Sequence, residues 1–154
     1  MPGVPDVYQG SETQLLALVD PDNRRPVDFA RLAGMLRSDA GDGHQDDKQR
    51  LVAAALRLRR ARPECFGPDG GYEPLDAHGG RAGHVVAFAR GGQVVTVAPR
   101  LALTLARRGG WQDTALTLPP GRWVDVVSGT AVTGTTGLAR LLDPVPVALL
   151  ARAG

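Results

Sequence analysis

Apolar positions fall into two regimes along the chain. Between about residues 25 and 62 they recur at helical spacing, whereas beyond Pro63 they alternate, or run in β-branched blocks, between turn signals. The clearest helix is predicted from about Asp46 to Ala61. Leu51, Ala55 and Leu58 fall at i, i+4 and i+7 with Val52 and Leu56 beside them, giving an apolar stripe. Asp46 and Asp47 sit in its first turn and Arg57, Arg59, Arg60 and Arg62 crowd its last, the arrangement that the helix dipole favours, and Pro63 ends it. A second helix is expected from Arg25-Pro26 through Arg37, because proline suits a first helical position and Val27, Ala30, Met35 and Leu36 give a partial apolar face. Residues 1–25 read as loop, with Val7-Tyr8 closing a short buried strand and a brief apolar run from Leu15 to Val19; Ser38 to His44 is a polar linker.

Gly67-Pro68-Asp69-Gly70-Gly71 is a strong breaker, and strands are predicted after it. His84 to Arg90 and Gln93 to Pro99 flank Gly91-Gly92, an expected two-residue hairpin. Thr114 to Leu118, Trp123 to Val127 and Val145 to Leu150 are further strands, separated by Pro119-Pro120-Gly121, by Ser128-Gly129 and by the Gly-rich stretch to Gly137. The pattern is that of an antiparallel β domain of roughly 80 residues following two helices.

Composition narrows the class. With 43% hydrophobic and 22% charged residues the chain can bury a real core and is not of the disordered type. At 154 residues it holds one ordinary domain, so a complete (β/α)8 barrel of roughly 250 residues does not fit. A net charge of +2 is too small to neutralise a row of phosphates, which argues against nucleic acid as a partner. The single Cys65 excludes an internal disulfide, no Cys/His cluster has zinc spacing, and nothing suggests a cofactor. A reducing, cytoplasmic setting is the default. No stretch reaches the ~18 apolar residues of a membrane span, and the turn-rich Gly3 to Gly10, with no leader before it, reads like the interior of something longer.

Few residues suggest chemistry by themselves. His44, His78 and His84 lack a serine, cysteine or carboxylate pattern for nucleophilic catalysis and read as surface histidines; Cys65 has no activating partner. The arginines at the end of the long helix read as a solvated helix end rather than an anion site. Trp111 and Trp123 could stack on sugar rings, although core or rim positions suit them better in a β domain. The segment Asp20-Pro21-Asp22-Asn23-Arg24-Arg25 is different. It sets two carboxylates, an amide and two guanidiniums in a proline-held loop, the donors and acceptors that grip neighbouring sugar hydroxyls. From the residues alone, a self-satisfied Asp/Arg turn and a binding loop are equally good readings.

Gly3-Val4-Pro5-Asp6-Val7-Tyr8-Gln9-Gly10-Ser11-Glu12, followed by Val19-Asp20-Pro21-Asp22-Asn23-Arg24-Arg25-Pro26-Val27-Asp28, resembles the eighth strand and following loop of the α-amylase superfamily, glycoside hydrolase family 13. The later segments Pro63-Glu64-Cys65-Phe66-Gly67, Gly71-Tyr72-Glu73-Pro74-Leu75, His84 to Arg90, Gly121 to Val126 and Pro146 to Leu150 are similar to the maltooligosyl trehalose synthase family within it. The Asp-Pro-x-Asn-Arg signature is shared with neopullulanase-type hydrolases, so the downstream segments make that selection.

The resemblance implies an α+β fragment: the last βα unit of a (β/α)8 barrel with its helices in residues 1–63, then an antiparallel, β-sandwich-like domain in residues 64–154. It implies a maltooligosaccharide substrate and an intramolecular transglucosylation that turns its reducing-end α-1,4 bond into an α,α-1,1 bond by the retaining mechanism. That chemistry needs a nucleophile and an acid/base about 5 Å apart. In the superfamily these carboxylates and a third, stabilising one stand at the ends of strands four, five and seven, upstream of anything in this chain, so no catalytic residue is expected here and the missing N-terminal part of the barrel is an expected partner. Asp20 and Arg24 match the positions that hold a glucose on the non-reducing side of the cleaved bond. Asp22 and Arg25 belong to the same loop, while Tyr8, Gln9 and Glu12 match the strand-eight motif, Glu12 as a brace for the loop. Thr13-Gln14-Leu15 departs from the aromatic or acidic residue that often follows the motif's Glu. The rival expectations are a stand-alone carbohydrate-binding module acting through Trp111 or Trp123, and a fragment of a neopullulanase-type hydrolase.

Overall fold

The computed structural model describes residues 8–14, 26–37 and 47–154. The chain divides into two compact units, Met1–Ala53 and Ala54–Gly154. In the first, helix α1 (Phe29–Arg37) starts later than Arg25-Pro26 suggests. The physical reason is Asp28, whose carboxylate accepts the Arg31 amide at 2.9 Å and so caps one of the orphan donors of the first turn. None of the side chains of α1 is buried. Helix α2 (Asp47–Ala61) agrees with the apolar periodicity and carries Asp47 in its first turn and Arg59 and Arg60 in its last.

The second unit is an antiparallel sheet with short helices. Its strands are β1 (Glu73–Pro74), β2 (Ala77–His78), β3 (Val85–Arg90), β4 (Val94–Pro99), β5 (Ala115–Asp125), β6 (Ala131–Gly137) and β7 (Ala148–Arg152). The order is β1-β3-β4-β7-β5-β2, with β6 on the other side of β5, and all seven join one hydrogen-bonded network. Helices α3 (Ala102–Arg107) and α4 (Leu138–Leu141) interrupt it. The chain is thus a mixture of α and β elements with its β part antiparallel.

The β3–β4 hairpin turns on Gly91 and Gly92, both left-handed at φ 55° and 61°, where a side chain would be strained. The ladder pairs Arg90 with Val94, so Gln93 is an additional loop residue and the connection is one longer than the two expected. A larger difference lies at Pro119-Pro120-Gly121. These residues do not separate two strands; they form a bulge inside β5, which pairs Thr117 with Thr135 before it and Arg122 with Thr133 after it. The Gly-rich stretch before Gly137, expected to be connection, is strand β6.

One face of the sheet builds the core. Ala87 and Ala89 of β3, Val95 and Val97 of β4, Leu116, Leu118 and Trp123 of β5, and Ala148 and Leu150 of β7 form a single buried cluster. Helix α4 closes it with Leu138 and Leu141. Each of these valine and leucine side chains contributes about 1.5–3 kcal/mol by leaving water, so this alternation, not strand propensity, sets the register.

Candidate functional site

The motif residues Tyr8, Gln9 and Glu12 belong to the first unit. A tight turn at Tyr8–Ser11 is closed twice on the Tyr8 carbonyl, which accepts from the Ser11 amide at 3.3 Å and from Ser11 Oγ at 2.8 Å. Gly10 makes the turn possible. It is left-handed at φ 86°, and a Cβ there would lie 2.6 Å from Cγ2 of Val27, so the strap runs against the residue leading into α1. Lys48 Nζ donates to the Thr13 carbonyl at 3.0 Å, and Gln49 Nε2 to the Leu32 carbonyl at 3.0 Å, which ties the first turns of α2 to the strap and to α1.

On this strap Tyr8 is 70% exposed and Gln9 is exposed. Glu12 is half-buried, and its Oε2 is out of contact with water and without a hydrogen-bond partner. Asp20, Asp22, Arg24 and Arg25 lie outside the described residues. Among the described residues, no three His, Cys, Asp or Glu side chains are grouped so as to hold a metal ion. Nor is any helix among them long and apolar enough to cross a membrane.

In the second unit the candidates of the sequence separate cleanly. Trp123 is fully buried, with Nε1 donating to the Pro119 carbonyl at 2.9 Å, so its ring cannot stack on a sugar. Trp111 packs half-buried against the core cluster. His84 is buried rather than on the surface, with Nδ1 3.3 Å from the Arg100 carbonyl, whereas His78 is exposed and His44 lies outside the described residues. Cys65 is fully buried; burial chiefly, with the Glu64 carboxylate beside it, pushes its thiol above the usual range. Arg57, Arg59 and Arg60 are exposed, but Arg62 is structural. Its guanidinium donates to Gln93 Oε1 at 3.1 Å and to the Arg152 carbonyl at 2.8 Å, fastening the helix end to the sheet.

Two surface features escape the sequence patterns. Tyr72, exposed, stacks on Phe88 with ring centroids 4.9 Å apart, above a shallow cavity of ≈ 190 Å³ lined also by Asp69 and Glu73. A second cavity, between β5, β6 and α4, is lined by Arg122 and Arg140. The only sequence signal for the first is the motif Gly71-Tyr72-Glu73-Pro74-Leu75; the second has none, because its arginines are far apart in the chain.

No family model matches the chain. A protein of Mycobacterium tuberculosis (strain CDC 1551 / Oshkosh), assigned as a maltooligosyl trehalose synthase, is 46% identical over 152 residues, 99% of this chain. The chain is homologous to maltooligosyl trehalose synthase. It spans 19% of the length of that relative, as a C-terminal part of it. The structure agrees. The maltooligosyltrehalose synthase of Arthrobacter ramosus superposes with a TM-score of 0.87 at 44% identity, covering 99% of this chain and 20% of the solved one. A further maltooligosyl trehalose synthase structure gives a TM-score of 0.70 at 27% identity, covering 98% of this chain and 20% of that one. The match runs over 152 residues, so it passes through both units and is not confined to the loop signature, which does not favour an unrelated binding module.

Proposed function

We propose that this chain is the C-terminal part of an intramolecular transglucosylase that converts the reducing-end α-1,4 bond of a maltooligosaccharide into an α,α-1,1 bond. The observation that carries the reading is 46% identity over 99% of the chain to a maltooligosyl trehalose synthase. Residues 1–63 supply the last strand, substrate loop and helices of a (β/α)8 barrel, and residues 64–154 form a sandwich-like C-terminal domain. In the loop, Asp20 and Arg24 hold the glucose on the non-reducing side of the cleaved bond, a carboxylate and a guanidinium together providing acceptor and fork donor for adjacent hydroxyls. Asp22 and Arg25 extend that grip, Tyr8 and Gln9 belong to the strand-eight motif that precedes it, and Glu12 braces the loop.

Binding and cleavage are separate tasks in this division. Sugar contacts orient the substrate, while bond exchange with retention requires a nucleophilic carboxylate and an acid/base about 5 Å apart. Those groups belong to barrel strands outside these 154 residues, and the partner of this part is the N-terminal part of the barrel. The setting is cytoplasmic, in keeping with an unpaired, buried thiol.

The test is an assay of the 154-residue chain with maltopentaose. No loss of reducing ends is expected. Loss at a rate comparable with the intact Arthrobacter ramosus synthase would refute the proposal.

A further inference from the structure

The cavity of ≈ 220 Å³ between β5, β6 and α4 has no part in the reading above, and its chemistry is distinct. Its lining is Arg122 from β5, Thr133, Thr135 and Thr136 from β6, Arg140 from α4, and small flanking apolar residues. Both guanidiniums stand on fixed backbone. Arg122 pairs with Thr133 in the ladder and its carbonyl accepts the Ala153 amide at 2.9 Å, while Arg140 is held between Leu138 and Leu141, which are 0% and 1% exposed. Among the described residues, neither guanidinium makes an ion pair or side-chain hydrogen bond, unlike Arg62, Arg81, Arg90 and Arg152, which donate to backbone carbonyls.

Two unpaired forks facing one concavity suit an oxyanion. A planar guanidinium binds phosphate oxygens bidentately, and charge-assisted hydrogen bonds of this kind are about twice as strong as neutral ones. The threonine hydroxyls add donors and acceptors at the rim. No aromatic side chain lines the cavity, so a neutral sugar would find no ring to stack on. The volume is that of about seven liquid waters, more than a lone four-oxygen ion fills. We infer that the Arg122–Arg140 cavity binds the phosphoryl group of a small phosphate ester.

Nuclear magnetic resonance titration of the whole 154-residue chain tests this, with inorganic phosphate, glucose 6-phosphate and glucose as probes. Saturable shifts of the Arg122 and Arg140 Nε–H signals are expected with both phosphates, and none with glucose. A tighter fit for glucose 6-phosphate than for inorganic phosphate is expected; equal affinities, or a tighter fit for the free ion, would overturn the assignment to an ester. Arg122→Gln or Arg140→Gln should each weaken binding about tenfold, added salt should weaken it further, and Arg107→Gln, on exposed α3, should leave it unchanged. The inference is overturned if neither phosphate shifts these signals at millimolar concentration. It is equally overturned if the shifts persist in the Arg122→Gln/Arg140→Gln double variant, or if only an acidic peptide, and neither phosphate, occupies the cavity.

Discussion

The indole Nε1 of Trp123 donates to the carbonyl of Pro119 at 2.9 Å, across a bulge in its own strand. That bond lets β5 continue through Pro119-Pro120-Gly121, two residues of which cannot donate to a ladder. The bulge is held from outside as well. Arg152 Nη2 donates to the Pro120 carbonyl at 2.9 Å, and Gly121, at φ 133°, leaves no room for a Cβ beside the Arg152 guanidinium.

Trp123→Phe keeps most of the buried ring but leaves the Pro119 carbonyl without this donor, and should destabilise the second unit by about 1–2 kcal/mol. Trp123→Ala should cost about 3–5 kcal/mol through the cavity it opens. Urea unfolding followed by far-ultraviolet circular dichroism gives both values. Destabilisation of Trp123→Phe equal to that of Trp123→Ala would show that the hydrogen bond, rather than packing, dominates.

Asp125, 1% exposed, organises the turn after β5. Oδ1 accepts the amides of Val127 at 3.2 Å and Leu149 at 3.1 Å, and Oδ2 accepts the amide and hydroxyl of Ser128 at 3.2 and 2.5 Å. Asp125→Ala strands these donors and should destabilise by about 3 kcal/mol or more, whereas Ser128→Ala should cost about 1 kcal/mol. Thermal melts of the two variants should therefore rank in that order.

Cys65 links stability to alkaline pH. Its folded thiol titrates above the ordinary value because burial, first, and Glu64, second, oppose the thiolate. An unfolded chain ionises near the ordinary thiol value while the folded chain does not. The thiol's contribution is thus complete below that value and is lost as pH rises from it towards the raised folded value. Unfolding free energies of wild type and Cys65→Ala should diverge over that alkaline window and run parallel at neutral pH. The thiol should also resist alkylation at neutral pH until urea unfolds the second unit.

Gly10 fixes the strap at Tyr8–Ser11. Gly10→Ala places a methyl 2.6 Å from Val27 Cγ2 at a φ of 86°, and should loosen the Tyr8–Ser11 turn at a cost of about 1–3 kcal/mol. Faster hydrogen exchange at the Ser11 amide, with the amides of β4 unchanged, is the expected signature. Adding Val27→Ala should recover the clash but not the backbone strain.

The parts of this fold legible in the sequence are those where local signals and burial agree. Helix α2 has a stripe, dipole-matched charges and a terminal proline; β3 and β4 are mainly apolar runs with paired valines on either side of Gly91-Gly92. Strand β6 was illegible because Ala131–Gly137 is rich in Thr and Gly and mostly exposed; its ladder with β5, not its own pattern, makes it a strand. The burial of His84 has no local signal for a similar reason, since its partner carbonyl at Arg100 arrives through hairpin pairing. At the site, the motif carrying Asp20 and Arg24 is readable only through resemblance, because a loop's contacts have no periodicity. The Arg122–Arg140 cavity depends wholly on register and has no sequence signature at all.

We propose that this chain completes a glucan-isomerising barrel through the loop at Asp20 and Arg24. The most direct measurement exchanges these 154 residues for the matching fifth of the Arthrobacter ramosus synthase and follows the loss of reducing ends from maltopentaose. The chimera should convert maltopentaose to a non-reducing product and lose at least about tenfold in kcat/KM with Asp20→Ala. A folded chimera that is inactive, that releases new reducing ends by hydrolysis, or that is indifferent to Asp20→Ala would contradict it.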